Sequence, residues 1–173
     1  MKPASTLDYR AASRRRVPRF LFDYTDGGSY AEQTLAANIA DLAAIQLDQR
    51  VLVDVSRIDT RMKLLGQALA MPVVLAPVGL GGLHARRGEV QAWRAARGAG
   101  IGMALSTVSV CSLQEVTQGG GAAPWFQLYL VKDKAANEAM IATARAQGCP
   151  ALVLTADLPT PGARYRDVRS SLT

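Results

Sequence analysis

Four apolar runs of this chain each end in polar residues of the kinds that bind cofactors and move protons. The runs lie at residues 73–79 (VVLAPVG), 103–109 (MALSTVS), 125–129 (WFQLY) and 152–157 (LVLTAD). Hydroxyl, amide and carboxylate groups grouped in this way orient small polar ligands and transfer protons. Because parallel barrels carry their active sites at the carboxyl ends of their strands, the recurrence predicts half of such a site.

The four runs recur at the spacing of a repeated strand–helix unit. We expect the strands to end near residues 76, 106, 128 and 155, which are about 30, 22 and 27 residues apart, the length of a βα unit. The runs are apolar throughout rather than alternating, which indicates burial on both faces and parallel pairing. Four units are half of the eight that close a (β/α)₈ barrel. Helices are expected between the strands, over residues 88–99, 112–117 and 134–147.

The first 70 residues precede this repeat and have a different pattern. Two β-prone runs, residues 50–56 and 62–64, are expected to form a small sheet that plugs one barrel end. We therefore predict an α/β chain with a helical and short-strand cap at residues 1–70 and the first four βα units of a barrel at 71–173. Helices of the cap are expected at residues 6–16, with Thr6 as N-cap, and at 20–24 and 30–44.

An open doubly wound sheet is the rival architecture, and it would need a phosphate-binding fingerprint after its first strand. The glycines of residues 79–82 are followed by His84 where the last glycine of that fingerprint should stand, and the glycines of residues 98–102 precede a strand. Both glycine groups are therefore interpreted as turns. His84, the only histidine of the chain, is interpreted as a loop residue and not as the catalytic base.

Composition and charge limit the partners. The 173 residues carry a net charge of +6, but Arg14, Arg15 and Arg16 are interpreted as a solvated helix end. No interleaved aromatic residues mark a nucleic-acid groove, so nucleic acid is not an expected partner. Cys111 and Cys149 have no metal-ligand spacing, no metal site is expected, and Cys149 is predicted to be a buried, reduced thiol. No apolar run is long enough to predict a membrane span.

Five motifs give the chain a family resemblance. They are FDYTDGG at residues 22–28, LAPVG at 75–79, LSTVS at 105–109, WFQLY at 125–129 and TADLPTPGARYR at 155–166. In this order they resemble the motifs of the flavin-dependent 2-hydroxy-acid oxidases and dehydrogenases, and most of all those of the bacterial respiratory branch that oxidises L-lactate. The resemblance covers essentially the whole chain but only the first half of a typical family member.

The resemblance implies that FMN is the cofactor. In the family the backbone of one segment lies against the flavin ring, and here that segment is Ala76, Pro77, Val78 and Gly79. Three side chains hydrogen-bond the polar edge and N5 region of the ring, and here they are Ser106, Gln127 and Thr155. Gln127 interrupts an apolar run, and a buried amide needs a hydrogen-bond partner.

The resemblance also implies a site for a 2-hydroxy acid. Arg164 is expected to hold the substrate carboxylate through a bidentate pair, to which Tyr24 adds a phenol donor. Tyr129 is expected to contact the substrate hydroxyl and the developing keto oxygen, and Asp157 to orient the catalytic histidine and stabilise its imidazolium. Taken singly, packing would also explain Tyr24, a turn cap Asp157, and a solvated surface Arg164.

In the family the catalytic histidine, a second substrate arginine, a lysine near flavin N1 and the FMN phosphate site belong to the later strands. The 173 residues are therefore expected to be inactive alone, and four unclosed strands are expected to associate through their edges. The resemblance further implies L-lactate as substrate, a quinone or electron carrier as acceptor, a homo-oligomer, and peripheral association with the cytoplasmic face of the bacterial inner membrane. Another 2-hydroxy acid (mandelate or glycolate) and a non-catalytic remnant or association module remain as alternatives.

Overall fold

The structure is a computed structural model that describes residues 3–118, 121–157, 160 and 162–171. The described residues form two compact units, one within residues 1–54 and 160–173 and the other within residues 55–159. The boundary that we predicted at residue 70 stays a prediction. Part of the last motif, at residues 158, 159 and 161, lies outside the described residues.

The strands and helices of the predicted repeat follow one another in the expected order, and there are additional elements at Gln67–Leu69, Gly81–His84 and Tyr165–Arg169. The elements are α1 (Thr6–Arg16), α2 (Arg19–Asp26), α3 (Gln33–Ala44), β1 (Met62–Leu64), β2 (Gln67–Leu69), β3 (Val74–Leu75), α4 (Gly81–His84), α5 (Gly88–Gly98), β4 (Gly102–Ser106), α6 (Leu113–Thr117), β5 (Trp125–Leu128), α7 (Lys134–Ala146), β6 (Leu152–Leu154) and α8 (Tyr165–Arg169).

A four-stranded parallel sheet in the order β3-β4-β5-β6 forms the centre of the second unit. Its register aligns the carboxyl ends of the strands, with Ser106 opposite Gln127 and Leu128 opposite Leu154. Helices α5, α6 and α7 connect successive strands, so that each strand pairs with the next one along the chain. This is the strand–helix repeat that the spacing of the apolar runs predicts.

The main core of the second unit lies between the two central strands and the connecting helices. Leu105 and Phe126 of the strands pack with Trp93 of α5, Val116 of α6 and Ala144 of α7. Burial of such side chains contributes roughly 1.5–3 kcal/mol each, which makes this cluster the main source of rigidity for the sheet.

Burial differs between the central and the outer strands. Every residue of β4 and β5 is buried, as their uninterrupted apolar sequences predict. The same prediction is wrong for the outer strands, since Leu75 is exposed, Leu152 is 46% exposed and Leu154 is 56% exposed. Within the described part of the chain, β3 and β6 each have a neighbouring strand on one side only, so nothing covers these side chains.

The short sheet is built from a different pair of strands than the predicted one. Residues 62–64 form β1 as expected, but they pair in an antiparallel hairpin with β2 across a turn in which Gly66 has φ +83°. Residues 50–56 are not a strand, and Val51, Leu52 and Val53 are exposed. β-branched residues favour a strand only where a partner strand and a packed face are available, and neither is present here. The role of the hairpin as a barrel plug stays a prediction.

Several helix ends differ from the predicted ones for local reasons. Ser5, not Thr6, caps α1, because the Asp8 carboxylate accepts a hydrogen bond from the Ser5 backbone N–H (3.0 Å). Helix α3 begins at Gln33 rather than residue 30, since Tyr30 and Glu32 have positive φ. His84 ends the short helix α4 instead of lying in a loop. Among the described residues, no helix has the length and apolarity to cross a membrane.

The two thiols are poorly reactive by environment. Cys111 is buried in the core, and burial together with the neighbouring Glu89 carboxylate raises its pKa. Cys149 is half-buried rather than buried, yet burial still raises its pKa to about 11. Since the thiolate is the reactive form, both thiols are expected to stay reduced and inert at neutral pH.

Ion pairs link the helices of the first unit. Asp26 at the end of α2 pairs with Arg10 of α1 and with Nη1 of Arg166 in α8 (2.8 Å), and Nη2 of Arg166 also pairs with Glu32 (2.6 Å). Hydrogen bonds from Arg10, and then from Arg166, lower the pKa of Asp26 against the opposing effect of partial burial. One carboxylate therefore holds three helices together while it is ionised.

Replacing Asp26 with asparagine is expected to lower the free energy of unfolding by about 1–2 kcal/mol at pH 7. The folded pKa of Asp26 is depressed, so its contribution is present above the unfolded pKa of about 3.9 and disappears as the pH falls through the folded value. Urea unfolding at pH 7 and pH 3 measures the difference, which should shrink at the lower pH. Asp48→Asn on an exposed segment is the matched control, and an equal loss in both variants would contradict the assignment.

Candidate functional site

Three polar side chains form a hydrogen-bonded row across the carboxyl ends of β4, β5 and β6. The Oε1 atom of Gln127 accepts hydrogen bonds from Ser106 Oγ (3.1 Å) and from the backbone N–H of Thr107 (3.2 Å). Its Nε2 atom donates to Thr155 Oγ1 (2.8 Å). Ser106 is 3% exposed and Gln127 is 2% exposed. We call Ser106, Gln127 and Thr155 the polar rim.

The strand register produces the polar rim. Ser106 is the last residue of β4 and lies directly opposite Gln127, and Gln127 lies opposite Val153 of β6. The backbone N–H of Thr155 then donates to the Leu128 carbonyl (3.1 Å), which holds the end of β6 beside β5. Three residues that are 21 and 28 positions apart in sequence are thus neighbours in space.

The hydrogen bonds within the polar rim determine which atoms remain available to a ligand. A backbone N–H can only donate, so the bond from Thr107 fixes Oε1 of Gln127 as the acceptor and sets the orientation of the amide. Ser106 Oγ donates to Gln127 and accepts from the Val108 N–H (3.2 Å). Among the described residues, the second hydrogen of Gln127 Nε2 has no partner, and the hydroxyl of Thr155 accepts without donating.

Thr107 belongs to this arrangement although the sequence analysis gave it no role. Its Oγ1 atom donates to the Gln127 carbonyl and accepts from the Tyr129 backbone N–H (3.1 Å). The side chain therefore ties the residue after β4 to both ends of the Gln127–Tyr129 segment. A hydroxyl residue directly after a predicted strand is the only sequence signal for this contact, and it is a weak one.

The segment after β3 approaches the same end of the sheet. A cavity of about 430 Å³ is lined by Ala76, Val78 and Ser106, together with residues of α4 and α5. The Leu80 backbone N–H donates to the Val108 carbonyl (3.0 Å), which joins this segment to the one after β4. Pro77 and Val78 are exposed, and Gly79 is half-buried. Ala76 and Val78 therefore line one cavity with Ser106, and the ring contacts of Ala76, Pro77, Val78 and Gly79 stay predictions.

Tyr129 and Asp157 follow the polar rim in sequence. Tyr129 is half-buried directly after β5, where its backbone is held by Thr107. Asp157 is exposed two residues beyond Thr155. Tyr129 directly follows β5 and Asp157 lies three residues beyond β6, and their catalytic roles stay predictions.

Tyr24 and Arg164 lie together in the first unit. The guanidinium carbon of Arg164 lies 5.5 Å from the centre of the Tyr24 ring, in cation–π geometry. Arg164 Nε donates to the buried Asp167 carboxylate (2.6 Å), and Nη2 donates to the backbone carbonyls of Tyr24 (2.6 Å) and Asp23 (3.3 Å). Within the described ranges, Nη1 has no partner, so one nitrogen is available for a ligand without breaking an internal bond. The bidentate carboxylate pair that the sequence predicts would have to displace one of these bonds.

The donor set of the polar rim suits a flavin ring. The rim has two hydrogens available to a ligand, one on Gln127 Nε2 and one on Thr155 Oγ1. The carbonyl oxygens and N5 of an oxidised isoalloxazine are acceptors, and they match hydrogen-bond donors of this kind. The cavity beside Ser106 also has the size of a small-molecule site.

Comparisons with known proteins agree with the motifs. A family model described as FMN-dependent dehydrogenase matches residues 13–173. The chain is 57% identical over 170 residues to the L-lactate dehydrogenase of Caulobacter sp. (strain K31) and 54% identical to that of Haemophilus influenzae (strain PittEE). Each alignment covers 98% of this chain and 45% of the relative, so the chain spans about half the length of the curated relatives it matches.

Solved structures give the same result for the fold. A monotopic membrane protein, (S)-mandelate dehydrogenase, matches with a TM-score of 0.93 and 31% identity, over 100% of this chain and 46% of that one. A mandelate oxidase matches with a TM-score of 0.93 and 35% identity, over 99% of this chain and 50% of that one. The predicted fold, four βα units from the N-terminal half of a (β/α)₈ barrel, is confirmed, and so is FMN as the cofactor. The chain belongs to the FMN-dependent dehydrogenase family.

Proposed function

We propose that this chain supplies the flavin-ring site of an enzyme that oxidises L-lactate to pyruvate with FMN and passes the electrons to the respiratory chain. The hydrogen-bonded polar rim of Ser106, Gln127 and Thr155 is the observation that carries the proposal. The substrate assignment is supported by the 57% identity to an L-lactate dehydrogenase, compared with 31% and 35% for the mandelate enzymes.

The oxidation breaks the O–H bond and the α-C–H bond of the hydroxy acid, forms a C=O bond, and releases two electrons and two protons. FMN, when bound, supplies the acceptor for the electron pair. The amide hydrogen of Gln127 and the hydroxyl hydrogen of Thr155 orient the ring through its acceptor atoms. Gln127 is buried and Thr155 is half-buried, and hydrogen bonds from such preorganised donors to a ring with growing negative charge are strong.

The substrate contacts in this proposal are those that the family resemblance implies. Arg164 binds the carboxylate of the hydroxy acid and Tyr24 donates a second hydrogen bond to it. Tyr129 contacts the substrate hydroxyl, and Asp157 orients the histidine that acts as the base and stabilises its imidazolium. The resemblance assigns that histidine to the later strands of the barrel.

The electron acceptor that we propose is a quinone or an associated electron carrier. We further propose a homo-oligomer that associates peripherally with the cytoplasmic face of the bacterial inner membrane. The description of one solved relative as a monotopic membrane protein supports the membrane association. A different 2-hydroxy acid is the second candidate for the substrate, favoured by the mandelate enzymes among the solved relatives.

Flavin binding tests the proposal. We expect the purified chain to quench the fluorescence of added FMN and to bind riboflavin within about threefold of the same affinity, because the polar rim contacts the ring and not the phosphate. Less than threefold corresponds to under about 0.7 kcal/mol of phosphate contribution. Fluorescence titration with both flavins measures it.

Two results would count against this assignment. A chain that quenches neither flavin would overturn the ring site. A chain that binds FMN far more tightly than riboflavin would assign the phosphate contact to these 173 residues and contradict the division of the site proposed here.

A further inference from the structure

A buried carboxylate lies behind the polar rim and has no part in the proposed chemistry. Glu89, in the first turn of α5, is 4% exposed. Its Oε1 atom accepts hydrogen bonds from the backbone N–H groups of Gly82 (2.7 Å) and Val110 (2.9 Å). Burial disfavours the charge, but hydrogen bonds from the N–H groups of Val110, Glu89 itself and Gly82 and from the Cys111 thiol outweigh it, and the pKa of Glu89 is lowered.

Glycines make room for this carboxylate. A Cβ atom on Gly82 would lie 2.9 Å from Glu89 Oε2 and 2.7 Å from the Cβ atom of Val110. A Cβ atom on Gly88 would lie 2.5 Å from the Gly81 carbonyl oxygen. Because all three distances are shorter than a Cβ atom tolerates, only glycine at positions 82 and 88 lets the backbone close around Glu89 in this way.

Glu89 joins two segments that are separate in sequence. Gly82 belongs to the segment after β3, which also carries Ala76–Gly79, and Val110 belongs to the segment after β4. The same two segments meet directly where the Leu80 N–H donates to the Val108 carbonyl (3.0 Å). The Val108 N–H in turn donates to Ser106 Oγ (3.2 Å), so the contact continues into the polar rim.

We propose that Glu89 is a positioning residue that fixes the segment after β3 against the segment after β4 and thereby aligns the two parts of the flavin site. The proposal rests on the proposed flavin site. Both N–H groups converge on one oxygen, and charge-assisted hydrogen bonds of this kind are short and strong. Glu89 acts through Gly82 and Val110, and it touches neither flavin nor substrate in this role.

The charge matters as well as the shape. Glu89 Oε2 is buried and receives no hydrogen bond from nitrogen or oxygen within the described part of the chain. An amide in its place would remove the negative charge that the N–H groups of Gly82 and Val110 face, and hydrogen bonds to a charged acceptor are the stronger ones. Glu89→Gln therefore removes the charge and weakens these two hydrogen bonds, while it leaves the side-chain volume almost unchanged.

Hydrogen–deuterium exchange and flavin titration of the full chain test the proposal together. In Glu89→Gln we expect the amides of Gly82 and Val110 to exchange about tenfold faster, while the Phe126 amide within the central sheet exchanges as in the wild type. We also expect the Kd for FMN to rise about tenfold, with a shift in the absorption spectrum of the bound flavin. Glu138→Gln on the exposed face of α7 is the matched control and should change none of these.

A second variant tests the contact of Glu89 with Gly82 and Val110 without removing the carboxylate. Gly82→Ala places a methyl group against Val110 and Glu89, and should weaken FMN binding by a similar factor. Unchanged exchange of the Gly82 and Val110 amides in Glu89→Gln would overturn the proposal that Glu89 holds these two segments together. Faster exchange with unchanged FMN affinity and spectrum would show that Glu89 has a purely structural role. Failure of the wild-type chain to bind any flavin would instead count against the proposed function. The exchange rates would still show whether Glu89 holds the two segments together.

Discussion

Replacing Gln127 with leucine is expected to weaken FMN binding between about tenfold and 100-fold and to lower the free energy of unfolding by about 2–4 kcal/mol. Leucine has nearly the same volume, so the effect comes from hydrogen bonds and not from a cavity. The buried Ser106 hydroxyl and the Thr107 N–H would lose their shared acceptor, and Thr155 would lose its donor.

Flavin fluorescence titration and urea unfolding measure the two effects. Gln114→Leu is the matched control, because Gln114 is exposed on α6 and its replacement should change stability by less than about 0.5 kcal/mol. If Gln127→Leu destabilises the chain but binds FMN normally, the polar rim is a structural network and the flavin assignment is wrong. If neither the FMN affinity nor the free energy of unfolding changes, the hydrogen bonds of Gln127 contribute little to either quantity.

The polar rim could be predicted because its signal is local to each strand. An apolar run that ends in a serine, a glutamine or a threonine marks where a buried strand reaches the sheet edge, and parallel pairing brings such ends together. Ser106, Gln127 and Thr155 meet for this reason. The motifs that resemble the family then indicated which ligand such an edge binds.

Contacts between segments could not be predicted in the same way. Glu89 resembles any acidic residue in the first turn of a helix, where carboxylates are common. Only the fold shows that Gly82 and Val110 both donate to it. In Arg164 the sequence likewise gives the charge, but not the internal bonds to Asp167 and to the α2 carbonyls that occupy two of its three nitrogens.

The exposure of the outer strands β3 and β6 also could not be predicted from the sequence. The aliphatic sequences of β3 and β6 predict burial, but burial depends on what lies on their far side. Leu75 and Leu154 are exposed because no strand follows at either edge within the described residues. The apolar sequences of β3 and β6 are therefore those expected of strands that are buried in a closed barrel.

We expect the chain alone to oxidise L-lactate at least about 100-fold more slowly than the same chain combined with the second half of a relative. General acid–base catalysis alone accounts for about 10²–10⁴ in rate, and the proposed base is a histidine of the later strands. His84, the only histidine present, lies 3.4 Å from the Leu80 carbonyl through Nδ1 and is not expected to replace it. The second half of the 57% identical Caulobacter relative is a suitable partner.

The open edges of the sheet explain why the two halves should associate. β3 and β6 expose aliphatic side chains and unpaired backbone groups, which favour pairing with a further strand. Leu154→Lys should therefore reduce recovery of lactate oxidation in the mixture, and it should reduce self-association of the chain alone in sedimentation. Leu7→Lys, on exposed helix α1, is the control and should affect neither. A chain that stays monomeric, or that oxidises lactate without a partner, would contradict the view that β3 and β6 are the edges at which a barrel closes.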